Sequence, residues 1–206
     1  MATRPGPDTD QLLDAVRRGD TPARGRLLER HRPKLRRMVG IRLDRRLAAR
    51  VDPSDVVQES LIEAAARLDE YVRDRPLPFY PWLRRIASDR LADAYRTHLH
   101  AGRRSIEREE PPGLPGESVV ALAERLLSPT SGPSGRLRRQ ERRDRVRMAL
   151  ESLPERDRDV LVLRYLEDLS TVDTAAIMGV GEGAVKMRLL RALQRLRDKL
   201  DEEDLP

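Results

Sequence analysis

Between Ser170 and Leu200 the chain reads as a short helical pattern, a Gly179-Val180-Gly181 turn and a long basic amphipathic pattern. So tight a turn forces the two helices to pack closely at a steep angle, which is the arrangement of a helix-turn-helix. Val185, Leu189, Ala192, Leu193, Leu196 and Leu200 recur at three- and four-residue intervals, so one face of the second helix belongs to a core. Lys186, Arg188, Arg191 and Arg195 project elsewhere. A DNA major groove admits one helix, and an arginine fork matches the O6 and N7 acceptors of guanine. Lys186 and Arg188 lie near the helix start, where base edges would be met, whereas Arg191 and Arg195 are placed for phosphates. Glu182, in the first turn, opposes phosphate capture at that helix end.

The rest of the chain is read as company for this unit. Apolar periodicity predicts helices from Asp10 to Gly19, from Thr21 to Arg50 with a kink or helix start at Pro33, and from Pro53 to Leu68 behind an Asp52 cap. Pro76, Pro78 and Pro81 predict a loop over 69–81, after which the period resumes at Trp82 and runs to Tyr95. Pro111-Pro112-Gly113, Pro115-Gly116 and the run from Ser128 to Gly135 predict a flexible connector, with a short helix surviving at Val119 to Leu127. Helices then resume from Arg138 to Leu153 and from Glu155 to Leu166, with Pro154 at the joint. No stretch alternates as a strand. The expectation is an all-α chain of two small helical domains, 1–100 and 138–206, joined by a flexible linker over 101–137. The C-terminal domain contains the helix-turn-helix.

Composition removes whole classes of chemistry. With no cysteine among 206 residues, disulfides, thiol catalysis and cysteine-ligated zinc are excluded. His31, His98 and His100 show no ligand spacing, so neither a metal nor a cofactor is expected. No apolar run approaches the roughly twenty residues of a membrane span, and the N-terminus lacks a signal peptide's apolar core, which predicts a cytoplasmic protein. A net charge of +6 favours a polyanionic partner.

Two further sites carry chemistry. Asp55 and Glu59 are one helical turn apart and share a face opposite Val57 and Leu61, which suits an acidic docking face for a basic protein surface. In the segment from Arg73 to Arg96, Arg84, Arg85, Arg90 and Arg96 follow a proline-rich loop bearing Phe79 and Tyr80. Arg85 and Arg96 lie about three helical turns apart on nearly one face and could track phosphates, while Phe79 and Tyr80 hold or wedge an unpaired base. Trp82 is expected in the core.

In this order and at this separation, the motifs resemble those of a bacterial RNA polymerase sigma factor of the sigma-70 family, of the two-domain extracytoplasmic-function type. The resemblance rests on Asp55-Val56-Val57-Gln58-Glu59, Trp82-Leu83-Arg84-Arg85-Ile86-Ala87, Asp93 and Arg96 in the N-terminal part. In the C-terminal part it rests on Leu153-Pro154-Glu155-Arg156, Arg164-Tyr165, Leu169-Ser170, Gly179-Val180 and Gly183-Ala184-Val185-Lys186-Met187-Arg188. It implies that Asp55, Gln58 and Glu59 grip the clamp coiled coil of the polymerase's largest subunit. It implies that the 69–80 loop and the helix from Trp82, with Phe79, Tyr80, Arg84, Arg85, Arg90 and Arg96, melt and read the −10 element. Glu182, Gly183, Lys186, Arg188, Arg191 and Arg195 would meet the −35 element as duplex, and the same domain would bind the flap of the other large subunit. A protein that is not an enzyme, is monomeric when free and has promoter DNA and core RNA polymerase as partners follows from the resemblance; an anti-sigma factor is a further partner it leaves open. Asp89, where many relatives carry asparagine, Gly181 in place of a serine cap, Thr174 in place of a larger aliphatic residue, and the proline-rich loop are departures from the family pattern. The competing class is a stand-alone dimeric helix-turn-helix regulator, which would prefer a palindromic operator.

Overall fold

The computed structural model describes residues 7–99, 115–126 and 136–202. The described residues are all-α, with no strand among them, and the chain divides into two compact units, Thr3–Pro115 and Gly116–Pro206.

The first unit holds α1 (Pro7–Arg17), α2 (Thr21–Arg42), α3 (Arg45–Ala48), α4 (Pro53–Ala66), α5 (Leu68–Asp74) and α6 (Phe79–Leu99). Gly19 turns the chain out of α1 at φ +87°, a conformation that costs glycine little. The Asp20 carboxylate then accepts from the Ala23 N–H at 3.1 Å and caps α2. α2 runs through Pro33, so no helix starts there. An interior proline costs a helix about 3 kcal/mol, but one α2 face buries Leu27, Leu28, Leu35, Met38 and Val39, each worth about 1.5–3 kcal/mol on transfer from water. Asp52 caps α4 through the Ser54 N–H at 2.7 Å, with Pro53 leading the helix as the sequence predicts.

Most of the stretch expected as loop is helix. α5 buries Leu68, Tyr71 and Val72, a spacing that outweighs the prolines behind it. Arg75 ends it in the left-handed region, at φ 38°, and Pro76 and Pro78 bracket a short turn. α6 begins at Phe79 and takes Pro81 in its first turn, where the missing N–H would be unpaired in any case. Tyr71, Phe79 and Trp82 pack together at ring-centroid distances of 4.5–5.6 Å, and His31 of α2 joins them 5.0 Å from Phe79.

The second unit holds α7 (Gly116–Leu126), α8 (Arg136–Glu151), α9 (Glu155–Leu161), a π-helical turn at Val162–Leu166, α10 (Thr171–Met178) and α11 (Glu182–Glu202). α7 lies inside the expected linker yet buries Val119, Leu122 and Ala123 against α8 and the π-turn, and Glu124 pairs with Arg143 of α8 at 3.3 Å. The second unit therefore begins near Gly116 instead of 138. Amphipathic spacing within α7 prevails over the prolines flanking it. The remaining linker residues, 101–114 and 127–135, with Thr130, Ser131 and Ser134 as candidate phosphorylation sites, lie outside the described residues. Pro154 stands at the cap of α9, one place earlier than a first-turn proline. The helix expected to continue to Leu166 widens into the π-turn, where the Glu167 N–H reaches back to Val162 O at 2.9 Å.

Candidate protein-docking and nucleic-acid surfaces

α4 buries Val56, Val57, Ser60, Leu61 and Ala64 on one side. A period of 3.6 residues then turns Asp55, Glu59 and Ile62 outward, and all three are exposed, Ile62 by 60 %. The two flanks of this face are bonded to neighbouring helices. On one flank Arg32 of α2 donates to Gln58 Oε1 at 2.9 Å while its Nε holds Glu29. On the other, Arg90 of α6 donates to Glu63 Oε2 at 2.6 Å, and Arg67 donates to Oε1 at 3.1 Å. Burial pushes the Glu63 carboxyl up, but the hydrogen bonds from Arg90 and Arg67 outweigh it and hold the group below its usual range. The expected acidic face is thus exposed, with one apolar residue the sequence reading passed over. Ile62 lies outside the buried register of α4, and that was the available signal.

α6 is tied to its neighbours along its length. Tyr80 donates to Lys34 O at 3.3 Å near the start, Arg90 holds Glu63 midway, and near the end the Tyr95 hydroxyl donates to Arg42 O and accepts from the Asp44 N–H, each at 3.0 Å. Phe79 and Tyr80 are 4 % and 2 % exposed, so neither is available to an unpaired base. They were expected in a loop; because α6 starts at Phe79, helical register carries both into the core instead. Arg84 falls on the inward stripe of Tyr80, Ala87 and Leu91, is 8 % exposed and already has a partner. Arg85 and Arg96 are exposed, Arg96 paired with Asp93.

A cavity of about 480 Å³ opens between α5, the 75–78 turn and the first turns of α6. Tyr71, Leu77, Trp82 and Ile86 give it apolar walls, and Arg85 and Asp89 stand at its edge. The Tyr71 hydroxyl donates to Leu77 O at 2.9 Å, and burial pushes that phenol up to about 12, so it remains a neutral donor. The cavity is not legible in the sequence, since it requires α5, where the prolines predict a loop.

In the second unit, Ser170 Oγ accepts from the Asp173 N–H at 3.0 Å and caps α10. Thr174, fully buried, donates its hydroxyl to Ser170 O at 2.8 Å, so its departure from an aliphatic residue leaves no unpaired polar group. Gly179 closes α10 at φ +64°, and Gly181 O accepts the Val185 N–H that opens α11. Gly181 therefore holds the cap position without a side-chain acceptor, a loss of a few tenths of a kcal/mol relative to serine. Val185, Ala192 and Leu196 face inward. Glu182, Gly183, Lys186 and Arg191 are exposed and Arg188 is half-buried. Met187 and Leu190, 48 % and 60 % exposed, share the outward side with Lys186 and Arg191. Neither was among the expected site residues, although both break the buried register; exposed apolar groups of this kind are able to contact thymine methyls. Arg195 is half-exposed but pairs with Asp157 of α9, whose side chain is 10 % exposed, so it ties α11 to α9 as well as facing outward.

Among the described residues no cluster of three or more His, Cys, Asp or Glu could hold a metal, and no helix is long and apolar enough to cross a membrane. The sigma-70 region 2 family matches residues 27–99, and the sigma-70 region 4 family matches residues 143–196. The ECF RNA polymerase sigma factor SigD of Mycobacterium tuberculosis (strain H37Rv) is 33 % identical over 96 % of this chain and 86 % of its own length. The ECF RNA polymerase sigma-E factor of Escherichia coli (strain K12) is 34 % identical over 93 % of this chain and 94 % of its own. A solved structure of CnrH in complex with the cytosolic domain of CnrY has the same fold, with a TM-score of 0.52 at 24 % identity, over 96 % of this chain and 99 % of that one.

Proposed function

The chain belongs to the sigma-70 family, among its extracytoplasmic-function members, and from that premise we propose how its surfaces divide the work of initiation. It binds core RNA polymerase, directs promoter recognition and is not itself an enzyme. The stand-alone dimeric regulator is set aside, because the two matched regions fall in sigma-factor order along one chain whose relatives are sigma factors over nearly its whole length.

The single observation that carries the residue-level reading is that each matched region presents an outward charged face on a helix pinned from behind. In the first unit, Asp55, Glu59 and the Gln58 flank of α4 form the surface for the clamp coiled coil, with Ile62 supplying apolar contact at its centre. Arg85 and Arg96 of α6 meet the −10 DNA, and the cavity walled by Tyr71, Leu77 and Trp82 takes over from Phe79 and Tyr80 as the place for an unpaired base. In the second unit, Lys186, Arg188 and Arg191, with Met187 and Leu190, face the −35 duplex beside Glu182 and Gly183, while Arg195 holds α11 to α9 through Asp157. The flap of the other large subunit binds this second unit. An anti-sigma partner would act by covering the α4 face or the α11 face.

Each unit alone offers a small and mostly phosphate-directed contact, so DNA affinity depends on polymerase holding both units on one promoter. Run-off transcription and band shifts test this together. The free chain should shift promoter DNA weakly and in a salt-sensitive manner, while chain plus core polymerase should initiate at one site. Lys186→Ala alone should cut that initiation by about tenfold, given about 1–3 kcal/mol for a good base contact. Tight, site-specific binding by the free chain, unaffected by core polymerase, would count against the reading.

A further inference from the structure

Glu63 occupies a position that neither docking nor DNA contact explains. Asp55, Glu59 and Glu63 stand four residues apart on α4 and form one acidic stripe that winds from the outward face toward α6. The first two carboxylates are exposed, but the third is three-quarters covered. It takes the Arg90 guanidinium on one oxygen at 2.6 Å and the Arg67 guanidinium on the other at 3.1 Å. Arg90 also lies in the field of Glu59 and Asp93. The helix proposed to dock on polymerase and the helix proposed to open the promoter are therefore joined by charge, at the end of the same stripe polymerase would grip.

We infer that Glu63 is a positioning residue for promoter opening, which orients α6 on α4 through Arg90 and so makes docking on α4 set the pose of the melting helix. Three features support it. The pair joins two elements whose proposed tasks differ. Its partner Arg90 is on α6 between the exposed Arg85 and Arg96, so the bond acts within the stretch that faces DNA. Both oxygens of the carboxylate are in use, so the side chain has a defined orientation, whereas a singly bonded surface carboxylate can rotate. The same bond gives Arg90 an anchoring part beside any DNA contact, since its side chain stays 39 % exposed. The two ends of α6 are held separately by Tyr80 and Tyr95, so loss of the central pair would alter the pose of the helix without detaching it.

This inference rests on the sigma-factor division of labour above, and the experiment separates the two. Full-length wild-type chain, Glu63→Gln, Arg90→Gln and the exchange Glu63→Arg with Arg90→Glu are each combined with core polymerase. Core affinity is measured by fluorescence anisotropy, and opening by permanganate reactivity of unpaired thymines on duplex promoter and on the same promoter with a pre-melted −10 region. Glu63→Gln should leave core affinity within about twofold and slow opening of duplex promoter by about fivefold, the upper end of what a part-exposed ion pair is worth. Pre-melted template should restore wild-type behaviour, Arg90→Gln should match Glu63→Gln, and the exchange should recover only part of the duplex rate, because Arg67, Glu59 and Asp93 then stand beside like charges. A merely structural lesion would lower core affinity in parallel and would not be rescued by pre-melting. Opening at the wild-type rate by Glu63→Gln, a parallel loss of core affinity, or no rescue by pre-melted template would each overturn the inference. Failure of the wild-type chain to bind core would instead overturn the underlying division of labour.

Discussion

His31 shows how one buried side chain links stability to acidity. It is packed against Phe79 and Tyr80 and shares a 3.2 Å hydrogen bond with Thr9. Burial, then the charges of Lys34 and Arg30, lower its pKa from 6.5 to about 4. Above pH 6.5 the ring is neutral whether the chain is folded or not. As pH falls from 6.5 toward 4, the unfolded chain takes up a proton that the folded unit refuses, so stability drains over that window and levels off below it. At 1.36 kcal/mol per pKa unit the loss is about 3 kcal/mol. Urea midpoints at pH 7 and pH 4.5 should therefore differ more for the wild type than for His31→Gln; equal differences would refute it. Arg195 makes the opposite point about legibility. Its place on a basic helix face read as a phosphate contact, but its partner Asp157 is far away in sequence and invisible to any local pattern. Arg195→Ala should destabilise the second unit by about 1–3 kcal/mol by leaving a covered carboxylate unpaired. Thermal unfolding measures this, and a purely DNA-binding defect at unchanged stability would contradict it.

At the scale of elements, helices were legible wherever one apolar face repeated without interruption. α4 with its Asp52-Pro53 start and α11 with its Val185, Ala192 and Leu196 face follow directly from that spacing. The errors cluster at prolines. Local rules correctly marked Pro76, Pro78 and Pro81 as breaking a helix interior, but Pro81 falls in a first turn, and α5 fits before the others. Without α5, the local pattern puts Phe79 and Tyr80 in a loop and gives no sign of the cavity walled by Tyr71, Leu77 and Trp82. The short helix expected at Val119 to Leu127 is present as α7, but its flanking prolines and serines assign it to the linker, whereas its buried Val119, Leu122 and Ala123 make it part of the second unit. Leu122, fully buried, decides whether α7 is integral to the second unit. Leu122→Ala should cost that unit about 2–4 kcal/mol, read as a lower midpoint of its unfolding transition. An unchanged midpoint would return α7 to the linker.

For the whole molecule, chemistry is divided between two small helical units, and neither needs a catalytic group. Order along the chain made the general function legible, since the docking motif, promoter helix and helix-turn-helix appear in sequence. What spacing could not supply was which charged groups are spent inside the fold. Glu63, Arg84, Arg90 and Arg195 are held by partners within the protein, which leaves Asp55, Glu59, Arg85, Lys186 and Arg191 among the exposed charges on the proposed faces. The most direct test of the account is the affinity of core RNA polymerase for the wild-type chain and for Asp55→Ala/Glu59→Ala. Wild-type chain should bind, and the double variant should lose affinity by tenfold or more, about 1.4 kcal/mol, with its thermal stability unchanged because both carboxylates are exposed. Equal binding by the two proteins would contradict the α4 docking face, and no binding by either would contradict the account as a whole.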